Sequence, residues 1–123
     1  NFLKTANQEI CVLVQVETRS ALDQIEDIAN VEGIDGVFIG PSDLAASLGH
    51  VGELQHPENQ GAIQDAARRL KSTGKAAGIL AGADEDSRRY IDWGYTFVAV
   101  GSDAGLLIRN ADAPAKRFKE AKS

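Results

Sequence analysis

The fold is decided by the stretch GVFIGPSDLAASLG at residues 36–49, in which a short apolar run passes through Gly40 and Pro41 into a helical pattern. The run does not alternate between apolar and polar residues, which is typical of a strand buried on both faces of a parallel sheet. The helical part, SDLAASL, places Asp43 at the junction of the two patterns. The stretch therefore predicts a strand followed by a helix, with a carboxylate at the end of the strand.

Further apolar runs of the same kind recur along the chain: CVLVQV from Cys11, AAGILA from Ala76 and FVAVG from Phe97. Helical patterns lie between and after them, in SALDQIEDIAN at residues 20–30, from about Pro57 to Gly74, from about Asp84 to Trp93, more weakly from Asp103, and as a short charged helix after Pro114. The order β-α-β-α-β-α-β-α predicts a parallel sheet with right-handed crossovers. Such units form half of an eight-stranded barrel or most of a small open sheet.

The length and composition exclude several classes of protein. A chain of 123 residues is enough for one small domain, so we expect residues 1–123 to form a single unit. Hydrophobic residues make up 43% and charged residues 25%, values near the globular average that exclude disordered and fibrous classes. The net charge of −5, with no basic cluster beyond KRFK, argues against nucleic acid and anionic membrane surfaces as partners.

Two further features concern the location of the protein in the cell. No stretch approaches the roughly 20 apolar residues of a membrane span, and the N-terminal residues lack the apolar core of a signal peptide, so we expect a cytoplasmic protein with no membrane partner. The single cysteine, Cys11, allows no internal disulfide and lies in an apolar run. We therefore expect it to be a buried core thiol in a reducing compartment.

Polar side chains follow the predicted strands at the edge of the sheet where parallel α/β folds bind ligands. Glu17 follows the first strand and Asp43 the second, and successive parallel strands are commonly neighbours about 4.8 Å apart. Two carboxylates in one small volume repel each other unless a cation or a shared proton intervenes, and hard oxygen ligands suit Mg²⁺ or Mn²⁺. The alternative is that both carboxylates only cap the helices that follow them.

Two neighbouring positions extend this candidate site. Gln15 lies two residues before Glu17 and therefore points to the same face of the strand. Its amide is expected to bind either a neighbouring side chain or a ligand oxygen, because an unpaired buried amide is costly. Ser42 and Asp43 open the helical pattern, whose free N–H groups and positive dipole end suit a substrate anion.

The chain resembles the C-terminal half of the HpcH/HpaI family of class II pyruvate aldolases in the segments VLVQVET, VEGIDGVFIGPSDLAASLG, GKAAGILA and FVAVGSD. The resemblance implies an α/β fold consisting of the four βα units of strands 5–8 in a (β/α)₈ TIM barrel. It also implies reversible retro-aldol cleavage of a 4-hydroxy-2-oxo-acid, such as 2,4-dihydroxyhept-2-ene-1,7-dioate, to pyruvate and an aldehyde. A related acyl-CoA ester lyase and a catalytically inactive assembly module are the alternatives.

The same resemblance gives roles to the candidate residues. Glu17 in QVET and Asp43 in GPSDL match the metal ligands of the family, so the implied cofactor is a divalent metal, Mg²⁺ or Mn²⁺, with Co²⁺ as a further option. Gln15 matches a residue that contacts the oxo-acid. The backbone N–H groups of Ser42 and Asp43 match those that receive the carboxylate of pyruvate. The metal of the family acts as a Lewis acid that stabilises the enolate of pyruvate.

The catalytic His of the family, and an Arg that stabilises the transition state, lie in the N-terminal half of the barrel. Neither His50 nor His56 matches that base, so the resemblance implies no catalytic residue in this chain and an inactive isolated chain. We expect a fragment, a half completed by a partner chain, or a truncated form of a barrel of about 200 to 250 residues. The implied assembly is a homo-oligomer, a hexamer in the family, or a pairing with an N-terminal half-barrel.

Overall fold

The structure of the protein is a computed structural model that describes residues 2–120, so the ends of the predicted 1–123 unit lie outside the described residues. Its elements are, in chain order, α1 (Phe2–Glu9), β1 (Leu13–Val16), α2 (Arg19–Asp23), α3 (Ile25–Ala29), β2 (Gly36–Ile39), α4 (Pro41–Ser47), α5 (Pro57–Thr73), β3 (Ala76–Leu80), α6 (Asp84–Trp93), β4 (Phe97–Ala99) and α7 (Asp103–Glu120). The strands correspond to the apolar runs of the sequence, and each strand is shorter than its run.

The strands form one parallel sheet in the order β1-β2-β3-β4. Val14 lies opposite Val37, Val37 opposite Ala77, and Ile79 opposite Val98, so all the pairings between neighbours are parallel. Helical connections join the successive strands, as a parallel pairing requires. The predicted parallel α/β architecture is therefore confirmed.

The hydrophobic core lies between one face of the sheet and the helices α2 to α6. The side chains that fill it are almost completely buried: Val16, Val37, Ile39, Ala77 and Ile79 from the strands, and Leu22, Ile25, Leu44, Ile63, Leu70 and Tyr90 from the helices. Burial of each large aliphatic side chain contributes about 1.5–3 kcal/mol. This face of the sheet is consequently what holds the βα units together.

The opposite face of the sheet is largely open. Leu13, Leu80 and Phe97 lie on it and are 39%, 40% and 49% exposed. Gly78 makes room there for Phe38, since a Cβ at Gly78 would lie 2.6 Å from the Phe38 ring, and this ring meets Phe97 edge to face with centroids 5.8 Å apart. The prediction that the strands are buried on both faces is wrong, because the helices named above cover only one face.

The segment SALDQIEDIAN, predicted as one helix, forms two short helices. They are separated at Gln24, whose φ of −106° and ψ of 18° depart from helical values. The hydroxyl of Thr18 caps α2 by accepting a hydrogen bond from the N–H of Ala21 at 3.2 Å. Both short helices still bury apolar side chains, Leu22 from α2 and Ile25 from α3.

Other local expectations need correction as well. Cys11 is exposed and precedes β1, so the prediction of a buried core thiol is wrong. The last helix, α7, is continuous from Asp103 to Glu120 and contains Pro114 in its interior, so the prediction of a separate short helix after Pro114 is wrong. The first helix, α1, buries no residue and is not predicted by any pattern above. Within residues 2–120, no helix combines the length and the apolar character that crossing a bilayer requires.

Candidate active site

Gln15 and Glu17 lie side by side at the carboxyl end of β1. They are two residues apart and therefore share a face of the strand, here the open face of the sheet. The Nε2 of Gln15 donates a hydrogen bond of 2.7 Å to Oε2 of Glu17. Glu17 is half-buried, whereas Gln15 is exposed, so the assumption that the amide of Gln15 is buried is wrong. Of the two expected partners, a neighbouring side chain and a ligand oxygen, the structure shows the neighbouring side chain, Glu17.

Gly40, at the end of β2, lies against both of these side chains. Its N–H donates to the carbonyl of Val16 at 3.0 Å, which extends the pairing of β1 and β2 by one residue. A Cβ at Gly40 would lie 2.7 Å from Oε2 of Glu17 and 2.8 Å from Nε2 of Gln15. Only a glycine therefore leaves room for the two side chains in these positions. No residue pattern revealed this contact, because it joins two strands.

The helix α4 begins directly after Gly40. Gly40 is its N-cap residue and makes no side-chain cap, Pro41 is its first residue, and the N–H of Leu44 closes the first turn on the carbonyl of Gly40 at 2.9 Å. Pro41 and Leu44 are buried, whereas Ser42 and Asp43 are exposed. The backbone N–H groups of Ser42 and Asp43 belong to the first turn, where a helix has no internal acceptor for them.

The structure bears on the alternative that the two carboxylates only cap helices. Thr18, and not Glu17, caps α2. Asp43 does lie in the first turn of α4, where its charge is favourable, but its side chain makes no hydrogen bond or ion pair within the described residues. Glu17 therefore has no capping role, whereas Asp43 retains a favourable interaction with the helix dipole.

A cavity of about 230 Å³ lies beside Ser42 at the carboxyl ends of β2, β3 and β4. Its wall includes Leu80, Ser102 and the guanidinium-bearing Arg109 of α7. The hydroxyl of Ser102 accepts a hydrogen bond from the N–H of Gly105 at 3.1 Å. The sequence analysis did not identify Arg109 as a residue of this cavity. The available signal was a charged residue directly after the apolar residues LLI of α7.

The lysine Lys75 lies at the other end of the sheet. It precedes β3, and its Nζ donates a hydrogen bond of 2.6 Å to the carbonyl of Ile34. Gln15, Glu17 and Asp43 follow the carboxyl ends of their strands, so Lys75 is on the opposite edge. A Schiff base formed by this lysine is therefore not part of the candidate site.

Sequence reasoning gave no role to His50 and His56, yet the structure brings them together in the loop between α4 and α5. Their rings stack with centroids 3.4 Å apart and planes inclined by 16°. Both contact Glu58: Nε2 of His50 lies 2.8 Å from Oε2 of Glu58, and Nδ1 of His56 accepts the backbone N–H of Glu58 at 3.2 Å. The hydrogen bond from His50, followed by the ion pair with Arg19, lowers the pKa of Glu58.

The chain matches the family model described as HpcH/HpaI aldolase/citrate lyase over residues 3–110. It is 51% identical over 118 residues to a 4-hydroxy-2-oxo-heptane-1,7-dioate aldolase from Klebsiella pneumoniae, and 55% identical over 118 residues to a pyruvate aldolase from Rhizobium etli. Each alignment covers 96% of this chain, but only 44% of the first relative and 46% of the second.

A solved structure gives the same result. An HpcH/HpaI aldolase/citrate lyase family protein from Burkholderia cenocepacia superimposes with a TM-score of 0.85 at 39% identity, and the match covers 99% of this chain and 46% of that protein. The chain thus spans less than half the length of each of these three proteins. Its parallel sheet corresponds to half of a (β/α)₈ barrel, as predicted.

Proposed function

Because this chain belongs to the HpcH/HpaI aldolase/citrate lyase family, we propose that it supplies the metal and oxo-acid half of a class II aldolase active centre. The reaction is the reversible cleavage of a 4-hydroxy-2-oxo-acid to pyruvate and an aldehyde. The observation that carries this proposal is the Gln15–Glu17 pair held against Gly40, the residue after which α4 begins, with Ser42 and Asp43 in the first turn of that helix. The aldolase names of relatives that are 51% and 55% identical support the reaction class.

The donor set fits a hard divalent cation. Glu17 and Asp43 offer carboxylate oxygens, and neither is paired with a cationic side chain within the described residues. Mg²⁺ and Mn²⁺ favour such oxygen ligands and keep open positions for water and substrate, and Co²⁺ accepts them too. When bound, the metal supplies Lewis-acid stabilisation of the negative charge that develops on the 2-oxo group, a contribution of several kcal/mol.

The residues of this chain position the ligands. Gln15 holds one oxygen of Glu17 and so fixes the orientation of that carboxylate, while its second amide hydrogen is available to an oxo-acid oxygen. We assign the substrate carboxylate to the first-turn N–H groups of Ser42 and Asp43, where N–H groups without helical acceptors and the helix dipole both favour an anion.

Proton transfer and aldehyde binding are assigned to residues outside this chain. The chain covers 44% and 46% of its aldolase relatives, and the resemblance assigns the base and the stabilising arginine to the other half. We expect the isolated chain to bind metal and oxo-acid without turning over substrate. Activity requires a complementary half-barrel, and a homo-oligomer is the expected form of the completed protein.

Calorimetric titration with Mg²⁺ in the presence of pyruvate tests the ligand assignment. Glu17→Gln and Asp43→Asn each remove one charged ligand oxygen with little change of shape. The matched control is Asp84→Asn, because Asp84 also lies in the first turn of a helix that follows a strand of the sheet. We expect the two site variants to lose at least about tenfold in Mg²⁺ affinity and the control to retain it. Equal Mg²⁺ affinity in the unsubstituted chain, the two site variants and the control would show that Glu17 and Asp43 are not the metal ligands.

A further inference from the structure

The loop between α4 and α5 contains His50, Glu53 and His56 at a spacing of three residues. Two consecutive turns bring them to one side: the N–H of Glu53 donates to the carbonyl of His50 at 3.0 Å, and the N–H of His56 donates to the carbonyl of Glu53 at 2.9 Å. Gly52 provides the positive φ, 79°, that the first turn uses. One possible ligand atom from each of the three side chains lies within 4.8 Å of the others.

The shape of this loop is fixed by contacts within the chain. The N–H of His50 donates to the carbonyl of Ala45 at 2.8 Å. Asn59 is fully buried, and its Nδ2 donates to the carbonyl of Leu54 at 2.9 Å and to that of Pro41 at 3.3 Å. These bonds tie the middle of the loop to α5 and to the start of α4. The cluster therefore does not depend on residues of a complementary half-barrel.

The hydrogen bond between His50 and Glu58 defines which nitrogen of His50 is free. The two oxygens of the Glu58 carboxylate face Arg19 and His50, and a carboxylate beside a guanidinium accepts hydrogen bonds rather than donating them. The proton of neutral His50 is therefore on Nε2, which leaves the lone pair of Nδ1 available. In protein metal sites, a histidine that binds the metal through one ring nitrogen commonly donates the N–H of its other ring nitrogen to a carboxylate. His50 and Glu58 have this arrangement, with Nδ1 free for a metal.

We propose that His50, Glu53 and His56 bind a divalent transition-metal ion of the Zn²⁺ class, at a site separate from Glu17 and Asp43. Two imidazoles and one carboxylate are a ligand set that Zn²⁺ uses when it keeps a fourth position open, and imidazole ligands favour Zn²⁺ and Co²⁺ over Mg²⁺. Both histidines are half-buried and Glu53 is exposed, so an ion reaches the cluster from solvent. This inference goes beyond the proposed aldolase function and does not rest on it.

Binding has a structural consequence that can be measured. A ring nitrogen binds a metal in the plane of its ring, so rings stacked 3.4 Å apart do not both face one ion. One ring must turn, and the stack opens. His56 must also exchange its hydrogen bond with the N–H of Glu58, which at 3.2 Å is a long one, for the metal or a proton. Metal binding is therefore expected to separate the stacked rings of His50 and His56.

The test uses the chain with Cys11→Ser, because the exposed thiol is itself a metal ligand. The metal-free protein is titrated with Co²⁺ alone and followed by visible absorption, and Zn²⁺ is then added to displace it. We expect one equivalent of Co²⁺ with the intense bands of a four-coordinate ion. Histidine ring resonances followed by NMR with Zn²⁺ should shift as the stack opens.

Single substitutions separate this site from others. Glu53→Gln should weaken Co²⁺ binding at least about tenfold. Glu58→Gln, which removes the charged partner of both His50 and Arg19, should weaken it about 10- to 100-fold. Glu32→Gln, at another exposed loop glutamate, is the matched control and should change nothing. Far-UV circular dichroism confirms that each variant is folded.

Two results would overturn the proposal. One is the absence of four-coordinate Co²⁺ bands, and the other is equal affinity in Glu53→Gln and Glu32→Gln. Bands that disappear in Glu17→Gln and persist in Glu53→Gln would assign the ion to the oxygen site instead. Because Mg²⁺ binding to Glu17 and Asp43 is measured separately, failure of this inference and failure of the proposed aldolase function give different results.

Discussion

The side chain of Gln15 donates a 2.7 Å hydrogen bond to Glu17, and both side chains lie against the bare α-carbon of Gly40. This contact joins the end of β1 to the residue that begins α4. A change at Gly40 therefore acts on two parts of the candidate site at once: the orientation of the Glu17 carboxylate and the entry into the first turn of α4.

Replacement of Gly40 by alanine should displace Glu17. The new Cβ would lie 2.7 Å from Oε2 of Glu17, a distance that requires the side chains or the strand to shift. We expect Gly40→Ala to lower the free energy of unfolding by about 1–3 kcal/mol, the usual cost of overpacking. Mg²⁺ affinity in the presence of pyruvate should fall as well. Urea unfolding and calorimetry measure the two effects.

The matched control is Gly61→Ala. Gly61 is a helical residue of α5 with no atom within 4 Å of the position of a Cβ. Alanine should stabilise the protein there by about 0.5–1 kcal/mol, because glycine is the poorer helix former. If the two variants had equal stability and equal Mg²⁺ affinity, Gly40 would have no positional role in the site.

A second prediction concerns acid stability and the ion pair between α3 and α5. Nε of Arg69 donates to Oε1 of Glu26 at 2.6 Å, and Nη2 bonds the other carboxylate oxygen. This hydrogen bonding lowers the pKa of Glu26 from 4.5 to about 2. A carboxylate with a lowered pKa in the folded state stabilises the protein above its unfolded pKa, and this stabilisation is lost as the pH falls from about 4.5 to about 2.

The size of this effect should be modest, because the side chain of Glu26 is 39% exposed and water screens the pair. We expect Glu26→Gln to lower the free energy of unfolding at neutral pH by about 1 kcal/mol or less. The free energy of unfolding should also depend less steeply on pH between about 4.5 and about 2. Glu85→Gln is the control, since Glu85 also lies in the first turn of its helix, α6. Identical acid unfolding curves for the two variants would contradict the prediction.

The strands and most helix boundaries were predictable because their signals are local. Pro57 and Gly74 mark the two ends of α5, and Gly94 ends α6 with a φ of 105°. The break at Gln24 could not be read from the sequence, because the apolar spacing continues across it. Cys11 was misassigned for a related reason: it continues an apolar run, but pairing in the sheet begins only at Leu13.

The candidate site was predictable only in part. The period of two residues along a strand indicates that Gln15 and Glu17 share a face, and the structure places them in contact. The contact with Gly40 joins neighbouring strands, and the stacking of His50 on His56 depends on the course of a loop with two glycines at positive φ. Such contacts have no periodic signal, since they depend on how distant segments are brought together.

A third prediction concerns the buried hydroxyl of Tyr95. It donates a hydrogen bond of 2.8 Å to the carbonyl of Ile63, and burial raises the pKa of Tyr95 well above its usual value of 10. The folded protein therefore favours the neutral phenol, so this stabilisation is complete below pH 10 and is lost as the pH rises beyond it. Phenolate absorbance should show Tyr95 ionising only together with unfolding.

Tyr95→Phe should lower stability at neutral pH by about 1 kcal/mol, the usual net value of a buried hydrogen bond. It should also make the alkaline unfolding transition less steep. The chain contains two tyrosines, so the variant leaves only Tyr90 to titrate and the assignment is direct. Ionisation of Tyr95 in the folded protein near pH 10, seen before any loss of circular dichroism, would contradict this account.

The last prediction concerns the open face of the sheet. Leu13, Leu80 and Phe97 are 39%, 40% and 49% exposed, and β1 and β4 have unpaired edges within the described sheet. Exposed apolar surface and free strand edges both favour association. We expect the isolated chain to sediment as a dimer or larger species, and Leu80→Asn to shift it towards monomer. Ile91→Asn is the control, because Ile91 is equally apolar and 56% exposed but lies on the helix α6. A chain that sediments as a monodisperse monomer at high concentration without ligand would show that the open face does not drive association. Equal sedimentation of Leu80→Asn and Ile91→Asn would assign the contact to another surface.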